Sequence, residues 1–221
     1  PSLGFIDYKE NFGEMENKGW SLNLRTQMLR DTERELYWSL AFGTSDSKNK
    51  IKKITDKLGA MNDENNKNET KKPVPLYEEG ESLDALKAVP SLGIDPETGK
   101  EVFVKKDGSL TTIWDYNDKV VCGTTDPKFR GTLNSFLTFK GISLNMSFNF
   151  QWGGQTYNQT LASRVEGVNP NSNCDRRVLY DRWKKPGDRT FFKNIALEEN
   201  VSNLTTRFVQ DYNYFQIGSI S

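Results

Sequence analysis

The chain has 221 residues, and its 30 lysines and arginines are balanced by 30 aspartates and glutamates. This balance argues against nucleic-acid binding and against a polybasic role at a membrane surface, because both need a net positive field. The chain contains no histidine, which removes the usual general base, the histidine-assisted nucleophiles and the commonest metal ligand. The composition therefore predicts a protein that is not an enzyme and that holds no metal or other cofactor.

The first clear β-hairpin lies near the start of the chain. Apolar and polar residues alternate from Trp20 to Met28 and again from Leu36 to Phe42, on either side of a polar break at Arg30–Arg34. A period of two is typical of strands that present one face to an apolar environment. We therefore expect two strands and a short turn, preceded by a connecting segment or a weakly formed strand from Pro1 to Lys18.

A long hydrophilic tract follows, from Thr44 to Lys72. The spacing of apolar residues within 51–61 predicts an amphipathic helix, which the asparagine-rich run at 62–68 is expected to end. Residues 78–89 are expected to form one or two helical turns. A partial set of calcium-type ligands lacks the glycine and the remaining spacing of a calcium loop, so a solvated loop is favoured there: Asp63, Asn65 and Glu69.

Turn-forming residues then recur. The stretch GIDPETG at 93–99, the apolar run Val102–Val104 and the turn Asp107-Gly108 predict a small hairpin. Asp95 and Glu97 might be taken for the paired acids of a glycosidase, but at two residues apart in a tight turn they are better explained as turn formers.

The second clear hairpin has the most regular pattern in the chain. Alternation over Leu133–Phe139 is followed by a minimal turn at Lys140-Gly141 and by an uninterrupted strand pattern over Ile142–Trp152. Such alternation occurs in a soluble antiparallel sheet with one wet face, and also in a transmembrane barrel strand, which needs about nine to eleven residues to cross the hydrocarbon. The pattern by itself leaves both environments open.

The connections between the hairpins favour the barrel. The turns within hairpins have few residues, whereas the segments at about 44–130 and 153–205 are long and irregular. Such connections are uncommon in compact soluble domains, but outer-membrane barrels combine short periplasmic turns with long outer loops. Phe148, Phe150 and Trp152 also lie near the long-loop end of their strand, where an aromatic girdle would lie. The strand-like run Arg207–Ser221 closes the chain.

An ordered series of motifs resembles the C-terminal barrel region of SusC/RagA-type TonB-dependent outer-membrane transporters of Bacteroidetes. The resemblance covers nearly the whole chain and rests on the following residues: GIDPETG at 93–99, Asp107-Gly108, Asp126-Pro127 with Gly131, the two-strand unit through Phe150, Gly153-Gly154 with Tyr157-Asn158, Asn173 with Asp175 and Arg177, Arg182-Trp183 with Pro186-Gly187-Asp188, and Thr206–Val209.

The resemblance implies an all-β fold of antiparallel strands from a large transmembrane outer-membrane β-barrel. Residues 1–221 would be a C-terminal section that cannot close a barrel alone, and the family's plug, TonB box and earlier strands are not among them. It implies an importer of oligosaccharides or peptides in the bacterial outer membrane. Its partners would be a SusD-like surface lipoprotein, outer-membrane lipid and, through the missing N-terminal part, TonB. The alternative is a soluble or surface-attached β-sheet module that binds carbohydrate.

Three groups of candidate site residues follow from this interpretation. The lumen-facing candidates are Ser143, Asn145, Ser147, Asn149 and Gln151. The lipid-facing candidates are Ile142, Leu144, Met146, Phe148, Phe150 and Trp152. The candidates for contacting ligand or partner from an extracellular loop are Asp175, Arg177, Arg182, Trp183 and Asp188.

The loop candidates also have a structural interpretation. An indole face stacks on sugar rings and Asp/Arg pairs bind hydroxyls, but the same residues can lock a long loop onto itself, with Arg182 paired to Asp188. The structural role is favoured. Cys122 and Cys174 lie far apart, with no second cysteine near either to complete a metal-ligand spacing, and two free thiols are expected.

Overall fold

The computed structural model describes residues 13–67, 73–169, 171, 173–195 and 203–221. Five long antiparallel strands form the main sheet in the order β1-β2-β8-β9-β10, and two smaller sheets pair β3 with β7 and β4 with β5 and β6. The strands are β1 (Gly13–Asp31), β2 (Leu36–Ile54), β3 (Ala85–Ala88), β4 (Ser91–Ile94), β5 (Glu101–Val104), β6 (Leu110–Thr111), β7 (Val120–Thr124), β8 (Phe129–Phe139), β9 (Ile142–Tyr157) and β10 (Val209–Ile220).

The first hairpin is confirmed, and it is longer than its apolar alternation. β1 already begins at Gly13 and β2 continues to Ile54, so the connecting segment expected before residue 19 and the loop expected from residue 44 are partly strand. The backbone pairing continues through these polar residues out to Gly13 and Ile54, where Glu16 also binds Lys18 and Lys52 at 2.5 Å. Residues 1–12 lie outside the described part of the chain.

The helix expected after the first hairpin is present but shifted. It spans Asp56–Lys67 as α1 and continues through the asparagine-rich run that was expected to end it. The Asn62 side chain donates to the Tyr77 carbonyl and accepts from the Tyr77 amide, so tertiary hydrogen bonds offset the low helix propensity of asparagine. Asp63 and Asn65 therefore lie on a helix and not in a loop, and Glu69 falls outside the described residues.

The helical turns expected at 78–89 are wrong, since β3 forms there. Leu86, Ala88 and Val89 are buried, and the buried Lys87 ammonium lies 2.6 Å from carboxylate oxygens of both Glu78 and Glu81. This burial against distant parts of the same chain outweighs the local preference for helix. The predicted small hairpin is confirmed as β5 and β6, joined through Asp107-Gly108.

The second hairpin is confirmed in its strands and its turn. Lys140 and Gly141 have φ values of 48° and 80°, the left-handed pair that a two-residue hairpin turn requires. The predicted alternation is kept, since Leu137 pairs with Leu144 and Leu133 with Phe148. β9 runs past Trp152 to Tyr157 before the chain leaves the sheet. The closing strand is confirmed as β10, which pairs with β9.

The long connections fold together at the end of the sheet opposite the two short turns. We call residues 55–128 and 158–208, as far as they are described, the cap. A π-helical turn at Leu161–Glu166 and a 3₁₀ turn at Arg176–Leu179 pack there around a small core, formed by Ala162, Val165, Val168, Val178, Phe192 and Phe208. The segments expected to be irregular from 44 and from 153 are thus largely ordered. None of the helices in the described ranges is long and apolar enough to cross a membrane.

Candidate transport wall and cap

The five-stranded sheet has one apolar and one polar face. Directly paired residues of antiparallel strands lie on the same face, and one row across all five strands consists of Leu24, Phe42, Leu133, Phe148 and Ile217. All six residues predicted to face lipid lie on this apolar face: Ile142, Leu144, Met146, Phe148, Phe150 and Trp152. Ile142 is 74% exposed and Trp152 50% exposed, so an extended apolar surface is left uncovered.

Aromatic rings crowd the cap end of the apolar face. Phe42 stacks on Phe150 with ring centroids 5.6 Å apart, and a Cβ atom at Gly131 would lie 2.7 Å from the Phe150 ring. The missing side chain of Gly131 therefore makes room for that ring, an aromatic cover over a strand glycine. The rings border a shallow apolar hollow of about 490 Å³, lined by Trp20, Phe42, Thr44, Phe129, Leu133, Phe150, Trp152 and Phe215.

The next row of pairs lies on the opposite face and is polar. It consists of Asn23, Gly43, Thr132, Asn149 and Gln216. All five residues predicted to face the lumen lie on this face: Ser143, Asn145, Ser147, Asn149 and Gln151.

Three residues of the polar face were missed by sequence reasoning. Arg25, Arg130 and Phe136 share this face by their pairing with Ala41, Ser45 and Ser39, and Phe136 is 42% exposed. Their positions in the alternation of β1 and β8 would have identified them. The wall segments 20–30, 36–45, 129–139, 142–152 and 212–220 contain no aspartate or glutamate, so this wall is neutral to cationic.

Two of the loop candidates are buried structural residues. The Arg182 guanidinium donates to the carbonyls of Val178 and Lys193 at 3.0 Å, and also to that of Val165. Because the Arg182 guanidinium donates its N–H groups to backbone carbonyls, the expected Arg182–Asp188 pair is not formed. Asp188 instead accepts from the backbone amides of residues 184 and 185, which closes the turn around Gly187.

Trp183 is the second buried candidate, and its ring lies against the GIDPETG turn. Its indole N–H donates to the Pro96 carbonyl at 2.7 Å, and a Cβ atom at Gly99 would lie 2.6 Å from the ring. Trp183 is only 8% exposed. Its ring face is covered by protein, so Trp183 docks one cap segment onto another and has no free face for a sugar.

Asp175 and Arg177 remain at the surface of the cap. The Asp175 carboxylate accepts from the Arg177 side chain at 2.7 Å and from its backbone amide at 2.9 Å. These hydrogen bonds to Arg177 lower the pKa of Asp175 to about 2. Asp175 also borders a small polar cavity of about 370 Å³ that sequence reasoning missed, lined by Thr160, Ser163, Arg164, Gly167, Val168, Asn169, Asn173 and Asp175.

A buried ion triad joins three segments of the cap, the last of them just before β10. Arg207, two residues before β10, binds both oxygens of Glu101 at 2.7 and 2.8 Å and one oxygen of Glu166 at 2.6 Å. All three side chains are at most 5% exposed. Burial by itself lowers the pKa of Arg207, but the two carboxylates outweigh burial and raise it above its usual value. Arg207 lies within a recognised motif, but its partners are distant in sequence.

No group of three or more histidine, cysteine or acidic side chains in the described ranges is arranged to hold a metal ion. Cys122 and Cys174 are not joined in a disulfide, as expected.

No protein-family model matches the chain. Among curated proteins, TonB-dependent receptor P3 of Formosa agariphila is 25% identical over 229 residues, covering 96% of this chain and 22% of the relative. TonB-dependent receptor P39 of the same organism is 18% identical over 266 residues, covering 98% of this chain and 24% of the relative.

Solved structures agree in fold. A structure of the RagAB peptide transporter superposes with a TM-score of 0.74 at 16% identity, over 99% of this chain and 23% of the other. A structure of the RagAB peptide importer in the open-open state gives a TM-score of 0.71, also at 16% identity, with the same coverage. The chain thus spans about a quarter of the length of the proteins that it matches.

The fold is that of antiparallel strands from a large outer-membrane β-barrel with long loops at one end, as predicted. The predicted resemblance to SusC/RagA-type TonB-dependent transporters is confirmed, and the protein is located in the bacterial outer membrane.

Proposed function

We propose that this chain is a wall and cap section of a TonB-dependent importer of oligosaccharides or peptides that works with a SusD-like surface lipoprotein. The observation that carries the proposal is the two-faced sheet. The apolar face, from Ile142 to Trp152 on β9, would contact lipid, and the polar face would form the wall of the import channel. The cap would lie on the extracellular side, because outer-membrane barrels place their long loops there.

The polar wall favours neutral or anionic cargo. Ser, Thr, Asn and Gln side chains donate to and accept from hydroxyl and amide groups, which suits both sugars and peptides. Arg25 and Arg130 add positive charge, and the wall segments add no carboxylate. A cationic cargo would therefore meet net repulsion along these wall segments, although Asp126 lies near Arg130.

The cap would contact the lipoprotein and the captured cargo. Its exposed polar groups at Asp175 and Arg177, beside the 370 Å³ cavity, are the best placed for such contacts. Arg182 and Trp183 would act indirectly, by keeping the cap in shape. In the transporters that this chain resembles, energy passes through TonB to the plug, so the present residues would supply wall and mouth.

A matched pair of substitutions on β9 tests the orientation of the wall. Met146 and Ser147 are neighbours near the middle of the Ile142–Trp152 segment and point to opposite faces. Met146→Arg in the full-length protein should destabilise the barrel by about 2–4 kcal/mol, the cost of an arginine on the lipid face near the bilayer midplane, whereas Ser147→Arg should be tolerated. Unfolding in lipid bilayers measures both. Equal effects, or extraction of the wild type into buffer without detergent, would reject the proposal.

Purification of the native complex tests the partner and the cargo. An affinity tag on the full-length protein should recover a surface lipoprotein and a retained oligosaccharide or peptide, which mass spectrometry identifies. Recovery of neither would contradict the import function. Burial of Trp183 removes one ring that a carbohydrate-binding module, the competing hypothesis, could have used to stack on a sugar.

A further inference from the structure

A second, charged pocket borders the apolar hollow. We call it the lysine pocket. It has a volume of about 640 Å³ and lies between the outer parts of β1 and β2 and Gly80. Trp20 lines both the apolar hollow and the lysine pocket. The two cavities therefore meet at Trp20, and we call them together the groove, which is apolar toward the middle of the wall and charged toward the cap.

The lysine pocket contains two cations that have no partner among the described residues. Lys48 and Lys50 lie two positions apart on β2, which places their Cα atoms about 7 Å apart on the same face. Neither forms an ion pair with a described carboxylate. The pocket also holds Lys18 with Glu16, and Glu16 is already bound by Lys18 and Lys52.

Only Asp46 offsets the two free lysines within the pocket. The pocket is consequently an anion-attracting surface. Two lysines can contact one phosphate from both sides, because each ammonium carries three donors on a long, flexible stem.

The height of the lysine pocket matches the lipid headgroups. β2 pairs with β8 only as far as Ser45, so Lys48 and Lys50 project past the paired wall on the cap side. Trp20 pairs with Asp46, and Lys18 pairs with Lys48. The lysines therefore begin two residues from Trp20 along the strands, on the cap side. Tryptophan marks the membrane interface in barrels. The apolar hollow then lies at the depth of the acyl chains.

We propose that this groove binds an anionic, phosphate-bearing lipid of the outer leaflet. An acyl chain would occupy the apolar hollow across Phe42 and Phe150, and the phosphate would bind Lys48 and Lys50. A peptide fits this groove poorly, because its backbone amides would lie unpaired in the apolar hollow. A strand pairing with the free edge of β1 bonds within the plane of the sheet, so it leaves the groove open. The inference rests on the proposed orientation in the outer membrane.

The test uses the full-length transporter in neutral detergent, with phosphatidylglycerol and phosphatidylcholine of equal chain length as probes. Native mass spectrometry should detect tighter retention of phosphatidylglycerol. Each lysine near an anionic surface contributes about fivefold in affinity, so Lys48→Gln/Lys50→Gln should bind it roughly thirtyfold more weakly. The matched control, Lys105→Gln/Lys106→Gln, makes the same charge change at exposed cap positions and should bind like wild type.

Three outcomes would overturn the inference. These are unchanged retention in Lys48→Gln/Lys50→Gln, equal loss in the Lys105→Gln/Lys106→Gln control, and displacement of phosphatidylglycerol by inorganic phosphate at equal concentration, which would indicate a free-anion site. Weaker retention of a short-chain phosphatidylglycerol would support the role of the apolar hollow. If the wild type needs detergent but ignores lipid charge, this inference fails and the transporter proposal stands. If the wild type needs no detergent, the transporter proposal itself fails.

Discussion

Replacing Arg207 by methionine is expected to loosen the packing of three cap segments against one another. Among the described residues, Arg207 is the only cation that forms an ion pair with the Glu101 and Glu166 carboxylates, which it binds through three bonds of 2.6–2.8 Å. It also donates to the Phe191 carbonyl, and its central carbon, Cζ, lies 4.9 Å from the ring centroid of Phe208. The triad therefore connects β5, the π-helical turn and the residues before β10.

The magnitude follows from what the substitution leaves behind. Two carboxylates whose side chains are 4% and 0% exposed would lose the cation that forms an ion pair with both of them. Removing one partner of a buried ion pair costs about 3–5 kcal/mol, because an uncompensated charge stays buried. Glu101→Gln should cost less, about 1–3 kcal/mol, since the Arg207–Glu166 pair survives it.

Hydrogen exchange of the full-length protein measures the effect locally. The amides of Trp183 and Thr206 bond to the carbonyls of Phe192 and Val89 at 3.0 Å within the cap. If opening of the cap limits their exchange, Arg207→Met should speed it by roughly two to four orders of magnitude. Arg189→Met, an exposed position in the same region, is the control and should change nothing. Unchanged exchange in Arg207→Met would refute the view that the triad holds the cap.

Two further predictions concern the cap. A maleimide should label Cys174 faster than Cys122 in the native protein, because Cys174 is exposed whereas burial raises the pKa of the Cys122 thiol and hinders access; equal rates, measured by mass spectrometry, would contradict this. Gly99→Ala should destabilise the cap by roughly 2–4 kcal/mol, since its φ of +69° is strained for alanine and the new methyl would press on Trp183. Gly108→Ala has a similar φ but open space, so limited proteolysis should cut it more slowly than Gly99→Ala.

The alternation of residues was enough to predict the wall. Strand residues alternate between faces with a period of two. The sequence of Ile142–Trp152 therefore predicts which residues share each face without knowledge of the partner strands. Turn chemistry was equally local: Lys140-Gly141 and Asp107-Gly108 lie where the sequence predicts them, because left-handed φ values select few residue types. The family resemblance also came from short ordered motifs, and both curated relatives and solved structures support it.

The polar outer parts of β1 and β2 could not be predicted from alternation. The outer parts of β1 and β2 lack an apolar stripe, and they pair through the backbone register out to Gly13 and Ile54. For that reason the sequence predicted only a connecting segment or a weak strand before residue 19, and a hydrophilic tract with one helix after residue 43. The helix α1 likewise runs through Asn62 because Tyr77 satisfies its side chain, a contact across fifteen residues that no local pattern contains.

The sequence by itself therefore determined the two-faced strands, their short turns and the class of protein, because each depends on residues close together in the chain. Only the tertiary structure decided what the cap residues do. Arg182 turned out to bind backbone carbonyls, Trp183 to cover Gly99, and Arg207 to hold two acids from separate segments. These roles depend on burial and on partners dozens of residues away. The chemistry of an arginine or tryptophan side chain alone is equally compatible with binding a ligand and with stabilising the cap.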